Sequence, residues 1–319
     1  MSRVVVISGH PNSEGSNANS VILNELKRSV TELDVRYLDL LYPDFQIDVK
    51  AEQDALIDTD IIILQFPFYW YSIPALLKKW IDDVFAYDFA FGANGDKLKG
   101  KDLILSFTVG GPEESYDPLG YNHFTIEQLI YPLQQTAYLT GLNFNKPIYT
   151  HRMVYVEGVY NKLEDVQSRA ASHAQRLIAL IDELKSAPEV IIKKFIKQWF
   201  ENFDVLPNDS ALFTQYLSDD ITLTMPEGEF IGHSGFRDWY KGARETFKPN
   251  CEHMVEQITV DKKGSQSYLV KLRVRLIAET FADSKLQGEK INLLVNELWE
   301  LEVRAHNEIE ISQYTVEVV

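Results

Sequence analysis

The chain has 319 residues, 45% apolar and 24% charged, which is folded-protein balance with material for more than one core. Its formal net charge of −16 repels phosphate backbones and anionic membrane surfaces, so nucleic acid is not expected as a partner. The single cysteine, Cys251, excludes an internal disulfide and a thiolate metal site, and fits a reducing compartment.

Met1 leads at once into a β-branched stretch, Arg3 to Ser8, with no export leader visible, so a cytoplasmic location is expected. From Arg3 to Leu184 short β-branched runs alternate with longer amphipathic stretches. That grammar predicts an α/β domain, residues 1–186, with a doubly wound, five-stranded parallel sheet. The strands are expected at Arg3 to Ser8, Asp34 to Leu38, Asp60 to Phe66, Asp102 to Val109 and Pro147 to Val156. Ala18, Val21, Ile22, Leu26 and Val30 mark the first helix. The longest uncharged run, Ile61 to Leu77, is short of a membrane span and contains Gln65, Pro67 and Pro74, so it reads as strand plus loop, and no membrane insertion is expected. Next, Ile73, Leu76, Leu77, Trp80, Ile81, Val84 and Phe85 form one helical stripe, with Pro74 suited to its first turn. Leu163 to Leu184 closes the domain.

Ser186-Ala187-Pro188 is the expected joint, and the grammar changes after it. In a second domain, residues 189–319, a helix carrying Ile192, Phe195, Ile196, Trp199, Phe200 and Phe203 precedes strands at Ser267 to Glu279, Ile291 to Val303 and Glu308 to Val318. An α+β domain with a curved antiparallel sheet is expected.

Doubly wound sheets bind ligands at the carboxyl ends of their strands. The loop after the first strand, Gly9 to Asn19, opens a helix and lacks GxGxxG. A flavin phosphate held by hydroxyls, amides and main chain suits it better than a dinucleotide, although Ser16 also fits a simple helix cap. After the third strand, Pro67-Phe68-Tyr69-Trp70-Tyr71 offers a surface for a planar ring; Phe68 and Trp70 equally fit core positions. After the fourth, Thr108-Val109-Gly110-Gly111 lets backbone approach a ligand, with Tyr116 and His123 downstream.

These residues carry a resemblance. His10-Pro11, Ser16-x-x-Asn19, Phe66-Pro67-x-Tyr69-Trp70-Tyr71-Ser72-x-Pro74, continuing to Asp82, and Thr108-x-Gly110-Gly111 resemble the flavodoxin-fold NAD(P)H:quinone oxidoreductases. Pro132 to Ala137 with Gly141-Leu142-Asn143 is similar to their bacterial branch, which includes the ancillary flavoproteins of potassium-efflux systems. The resemblance implies a flavodoxin-like fold. It implies FMN, less readily FAD, bound by His10, Ser16, Asn17, Ala18, Asn19, Pro67, Phe68, Tyr69, Trp70, Thr108, Val109, Gly110 and Gly111. It implies NAD(P)H as co-substrate, ping-pong hydride transfer to a quinone or other flat acceptor, a homodimer whose site borrows from both subunits, and Tyr116 and His123 as catalytic residues. No metal ligand is assigned. A flavin-bearing regulatory subunit docked on a membrane transporter is the alternative.

Residues 189–319 resemble SnoaL-like and nuclear transport factor 2-like cones through their element order and the stretch Glu229 to Tyr240. Such a cone would serve as a ligand-binding or dimerisation module. Trp199, Tyr216, Met225, His233, Trp239 and Tyr240 are candidate pocket liners, with core packing as the other reading.

Overall fold

The computed structural model describes residues 3–319, which form one unit ending at Glu183 and another from Leu184 to Val319. In the first unit the described elements are β1 (Val4–Ser8), α1 (Asn19–Ser29), β2 (Leu33–Tyr37), α2 (Leu38–Leu41), α3 (Val49–Ile57), β3 (Ile61–Pro67) and α4 (Ala75–Val84). They continue with β4 (Asp102–Thr108), α5 (Ile126–Leu129), α6 (Tyr131–Leu139), β5 (Asn143–Phe144), β6 (Ile148–Thr150) and α7 (Leu163–Lys185).

The strand order is β2-β1-β3-β4-β5, with β6 also on β4, and all pairs are parallel. The chain steps outward from β1 in both directions, so the loops after β1 and β3 part at a topological switch point. Every residue of β1 and β3 is buried, as strands covered on both faces must be. The fifth sheet position differs from the single strand expected at Pro147 to Val156. It is split: β5 pairs with Asp102 and Leu103, and β6 with Ser106 to Thr108. Pro147, between them, has no N–H to give a ladder. The Asn145 side chain spans the break, donating to Asp102 Oδ1 at 3.0 Å.

In α4 the buried side chains are Leu76, Leu77, Trp80, Ile81 and Val84, the expected stripe. Pro74 is the extended residue ahead of the helix, at φ −60° and ψ 151°, rather than its first turn. The indole N–H of Trp80 donates to Glu52 Oε2 at 2.8 Å, deep under α3. Glu52 also accepts from the Arg36 guanidinium, at 2.6 Å from Nη2, and from the Tyr42 hydroxyl. Such a partner set offsets the cost of burying a charged carboxylate.

The second unit contains α8 (Pro188–Val205), α9 (Ala211–Thr214), β7 (Leu217–Met225), β8 (Gly228–Ile231), α10 (Gly232–Thr246), β9 (Glu252–Lys262), β10 (Ser267–Glu279), β11 (Lys290–Val303) and β12 (Ile309–Val318). Its sheet runs β8-β7-β12-β11-β10-β9. The layout is the α+β arrangement expected, with one correction: β12 lies parallel to β7, so the sheet is mixed rather than antiparallel throughout. Alternation along a strand reports which face is buried and carries no information on the neighbour's direction. Register shifts of one residue at Arg273/Val274 and Glu300/Leu301 are bulges, which bend and twist a sheet, and the pairing of β12 with β7 is interrupted between Ile311 and Gln313.

Helix α8 buries its apolar stripe against the face carrying Trp299, whose ring centroid lies 5.6 Å from that of Trp199. For most of the expected pocket liners the core reading holds. Trp199, Met225 and Tyr240 belong to the buried core, Tyr216 packs against Phe195, and His233 Nε2 bonds to the Leu217 carbonyl at 2.9 Å. Trp239 alone of the six lines an open groove, of about 850 Å³, beside Phe230, Phe247 and Phe281. No helix among the described residues is long and apolar enough to cross a membrane.

Candidate functional site

A cavity of about 580 Å³ opens in the first unit at the carboxyl ends of β1, β3 and β4. His10, Ser16, Asn17, Ala18 and Asn19 line it from the first loop, Pro67, Phe68, Tyr69 and Trp70 from the second, and Thr108 and Gly110 from the third.

The first loop ends on the N-terminus of α1, whose cap residue Ala18 receives no side-chain cap and whose first turn has no acidic residue. Such a terminus presents N–H groups and the positive end of the helix dipole, the setting an anionic phosphate requires. Ser16 does both things foreseen for it: it lines the cavity, and its Oγ accepts from the Asn19 N–H at 2.9 Å. The His10 imidazole is held below its ordinary pKa, chiefly by burial. Its Nδ1 accepts from the Asn12 N–H at 3.1 Å, so its single proton sits on Nε2.

In the second loop Phe68 is buried against Phe107, centroids 5.2 Å apart, so it serves the core as well as the cavity. Trp70 is the opposite, 91% exposed. Trp70 and Tyr71 occupy the centre of a tight turn closed by the Ser72 N–H to the Tyr69 carbonyl at 3.0 Å, both in the left-handed region, with φ 48° and 62°. Bulky residues there cost about 1–3 kcal/mol each. Strained aromatics turned to solvent at a cavity rim form a surface a flat ring can cover.

In the third loop a Cβ on Gly110 would come within 2.7 Å of Val154 Cγ2, so glycine allows the close approach of these two segments. Val109 is fully buried and Gly111 is tied by its carbonyl to the Arg152 N–H; neither lines the cavity. Their contribution to its shape is through backbone: Val109 N–H donates to the Thr150 carbonyl at 2.8 Å, fixing β4 to β6.

Tyr116 and His123 also stand outside the lining. Tyr116 is half-buried against the core, with its phenol pushed up, mainly by burial. His123 is exposed, at φ 62°. The ring beside Tyr116 is a different histidine, His151, at 5.3 Å between centroids, with Nδ1 3.1 Å from the Gly111 carbonyl. Sequence reading also passed over Gly15, Met153, Val154 and Tyr155, which complete the lining. The last three fall in the stretch expected to be strand, and an apolar run gives no sign that the chain has already left the sheet.

A family model described as flavodoxin-like fold matches residues 2–180. A Bacillus subtilis (strain 168) protein named as an uncharacterized NAD(P)H oxidoreductase, YdeQ, is 38% identical over 199 residues, spanning 61% of this chain and 94% of that protein. The glutathione-regulated potassium-efflux system ancillary protein KefF of Enterobacter sp. (strain 638) is 40% identical over 175 residues, 55% of this chain and 95% of its own. Among solved structures, general stress protein 14 of Treponema denticola, in complex with FMN, aligns with 57% of this chain and 99% of its own at 27% identity and a TM-score of 0.52.

Proposed function

The chain belongs, through residues 2–180, to the flavodoxin-like fold family, and from that premise we propose that it is an FMN-dependent NAD(P)H oxidoreductase acting on quinones or similar flat acceptors. The observation that carries the reading is the cavity itself: a helix N-terminus with no acidic residue in its first turn and an exposed aromatic turn face one space at the switch point of the sheet. The α1 terminus with Ser16, Asn17 and Asn19 would hold the phosphate, and Phe68, Tyr69 and Trp70 would cover the ring. When bound, FMN supplies a centre that takes hydride from a nicotinamide and gives it to a second flat substrate. The chain's own residues bind and orient. Donor N–H groups of α1 favour the anion, the Trp70 turn excludes water from one side, and neutral His10 offers an Nε2 proton to an acceptor at the cavity wall.

Tyr116 and His123 lie outside this lining, and we assign them to the acceptor side of a site completed by a second copy of the chain. The segment that contains them exposes Leu119, Tyr121 and Phe124 by 97%, 86% and 56%, apolar surface of the kind a subunit interface covers. Light scattering should then give a dimer mass.

The test is an anaerobic visible spectrum with the released cofactor identified by mass. Bleaching by NADH or NADPH and catalytic reoxidation by a quinone is the expected result; a protein that neither carries nor binds FMN would overturn the reading. The likeness to the potassium-efflux ancillary protein favours a second reading, a regulatory subunit docked on a transporter. Slow cycling with few quinone equivalents reduced per flavin would point there. The second unit would then serve as a ligand-binding or dimerisation module.

A further inference from the structure

Behind the cavity wall, polar side chains run without interruption from the surface of α7 to Thr108. Arg176 Nη2 donates to Thr150 Oγ1 at 2.6 Å, and Thr150 Oγ1 lies 2.9 Å from His173 Nδ1. His173 Nε2 lies 2.8 Å from Ser106 Oγ, which donates to Gln65 Oε1 at 2.6 Å. Gln65 Nε2 donates to Asn19 Oδ1 at 2.7 Å, and Asn19 Nδ2 reaches Thr108 Oγ1 at 3.4 Å. His173, Ser106 and Gln65 are fully buried, whereas Asn19 and Thr108 line the cavity.

The chemistry of one end sets the direction of the rest. A guanidinium can only donate, so Thr150 accepts from Arg176 and its own proton is free for His173 Nδ1. Burial and the charge of Arg176 hold His173 neutral, its pKa pushed down to about 3. A neutral ring has one N–H, so accepting at Nδ1 leaves Nε2 to donate to Ser106. Ser106 then donates to Gln65, Gln65 to Asn19 and Asn19 to Thr108. Each member accepts from the α7 side and donates toward the cavity, and such chains strengthen their bonds cooperatively.

We propose that Arg176, acting through His173, is a remote donor that orients the Asn19 amide and turns the Thr108 hydroxyl proton into the cavity, toward an acceptor atom of the flavin. This rests on the flavin reading above. His173 is on this account a positioning residue: it touches no ligand, and it determines which groups of the wall donate.

Two measurements test it. With ¹⁵N-labelled histidine, the His173 ring, assigned by its loss in His173→Gln, should show the Nε2–H tautomer and no titration between about pH 5 and 8. An Nδ1–H ring, or one titrating in that range, would overturn the chain. FMN affinity should fall on the order of tenfold in Ser106→Ala, which cuts the chain out of reach of the ligand, and similarly in Thr108→Val. The double variant should lose no more than the single ones. Additive losses, or unchanged affinity in Ser106→Ala, would overturn the positioning role. A wild-type protein without affinity for FMN sinks the flavin reading instead, and the histidine tautomer then decides the chain by itself.

Discussion

At the scale of single residues the molecule accepts strain and cost where ligand chemistry is expected. Trp70 has φ 48° and is 91% exposed, so its indole contributes little to folding while its backbone is held where glycine would be at ease. Trp70→Gly should therefore raise the unfolding free energy by about 1 kcal/mol and weaken FMN binding on the order of tenfold. Opposite signs in chemical denaturation and flavin titration are the signature sought; a variant that loses stability and keeps affinity would remove Trp70 from the site. His10, Asn19 and Thr108 were legible as candidates because strand ends in a doubly wound sheet converge. The buried residues linked in sequence behind Asn19, namely Gln65, Ser106 and His173, were not. Gln65 and Ser106 lie within strands and His173 on a distant helix, and only folding makes these residues neighbours.

At the scale of elements, two buried carboxylates behave differently because their partners differ. Glu52 ties α3 to β2 and α4 by accepting from Arg36 and Trp80, and from Tyr42, whose phenol is pushed up to about 12 by burial and by this carboxylate. Glu52→Ala strands all three donors and should cost roughly 3 kcal/mol, with Glu52→Gln, which keeps an acceptor, costing less. Urea unfolding of the two variants would show it, and equal costs would mean that packing, not hydrogen bonding, holds α4. Glu297, on β11, accepts from Trp299 Nε1 at 2.9 Å and forms no ion pair among the described residues. Burial pushes its carboxyl up to about 7 from 4.5. An acid whose folded pKa is raised contributes stability that is present below about pH 4.5 and lost as pH rises through about 7. The melting temperature of the second unit should fall between those values and stay flat in Glu297→Gln; a wild-type profile as flat as the variant's would refute this. Trp80 and the α8 stripe were readable from periodicity. The carboxylates they bury beside were not, since a lone Glu in a sequence reads as surface.

At the scale of the whole chain, every residue lining the 580 Å³ cavity precedes Lys185, where α7 ends. A chain truncated after Lys185 should bind FMN within about threefold of the full protein and retain its quinone turnover, because no side chain at the cavity is removed. Loss of flavin would show that the second unit supports the site. The sequence by itself determined the alternation of parallel strands and helices, the three loops at one edge of the sheet, and the change of grammar near residue 186, because burial periodicity and turn chemistry are local. Tertiary structure alone decided the rest: the split fifth strand, the parallel pairing of β12 with β7, the entry of Met153 to Tyr155 into the cavity, and the donor chain from Arg176 to Thr108. Each of these depends on which distant segments become neighbours, and that choice is made by the packing of the whole core rather than by any stretch of sequence.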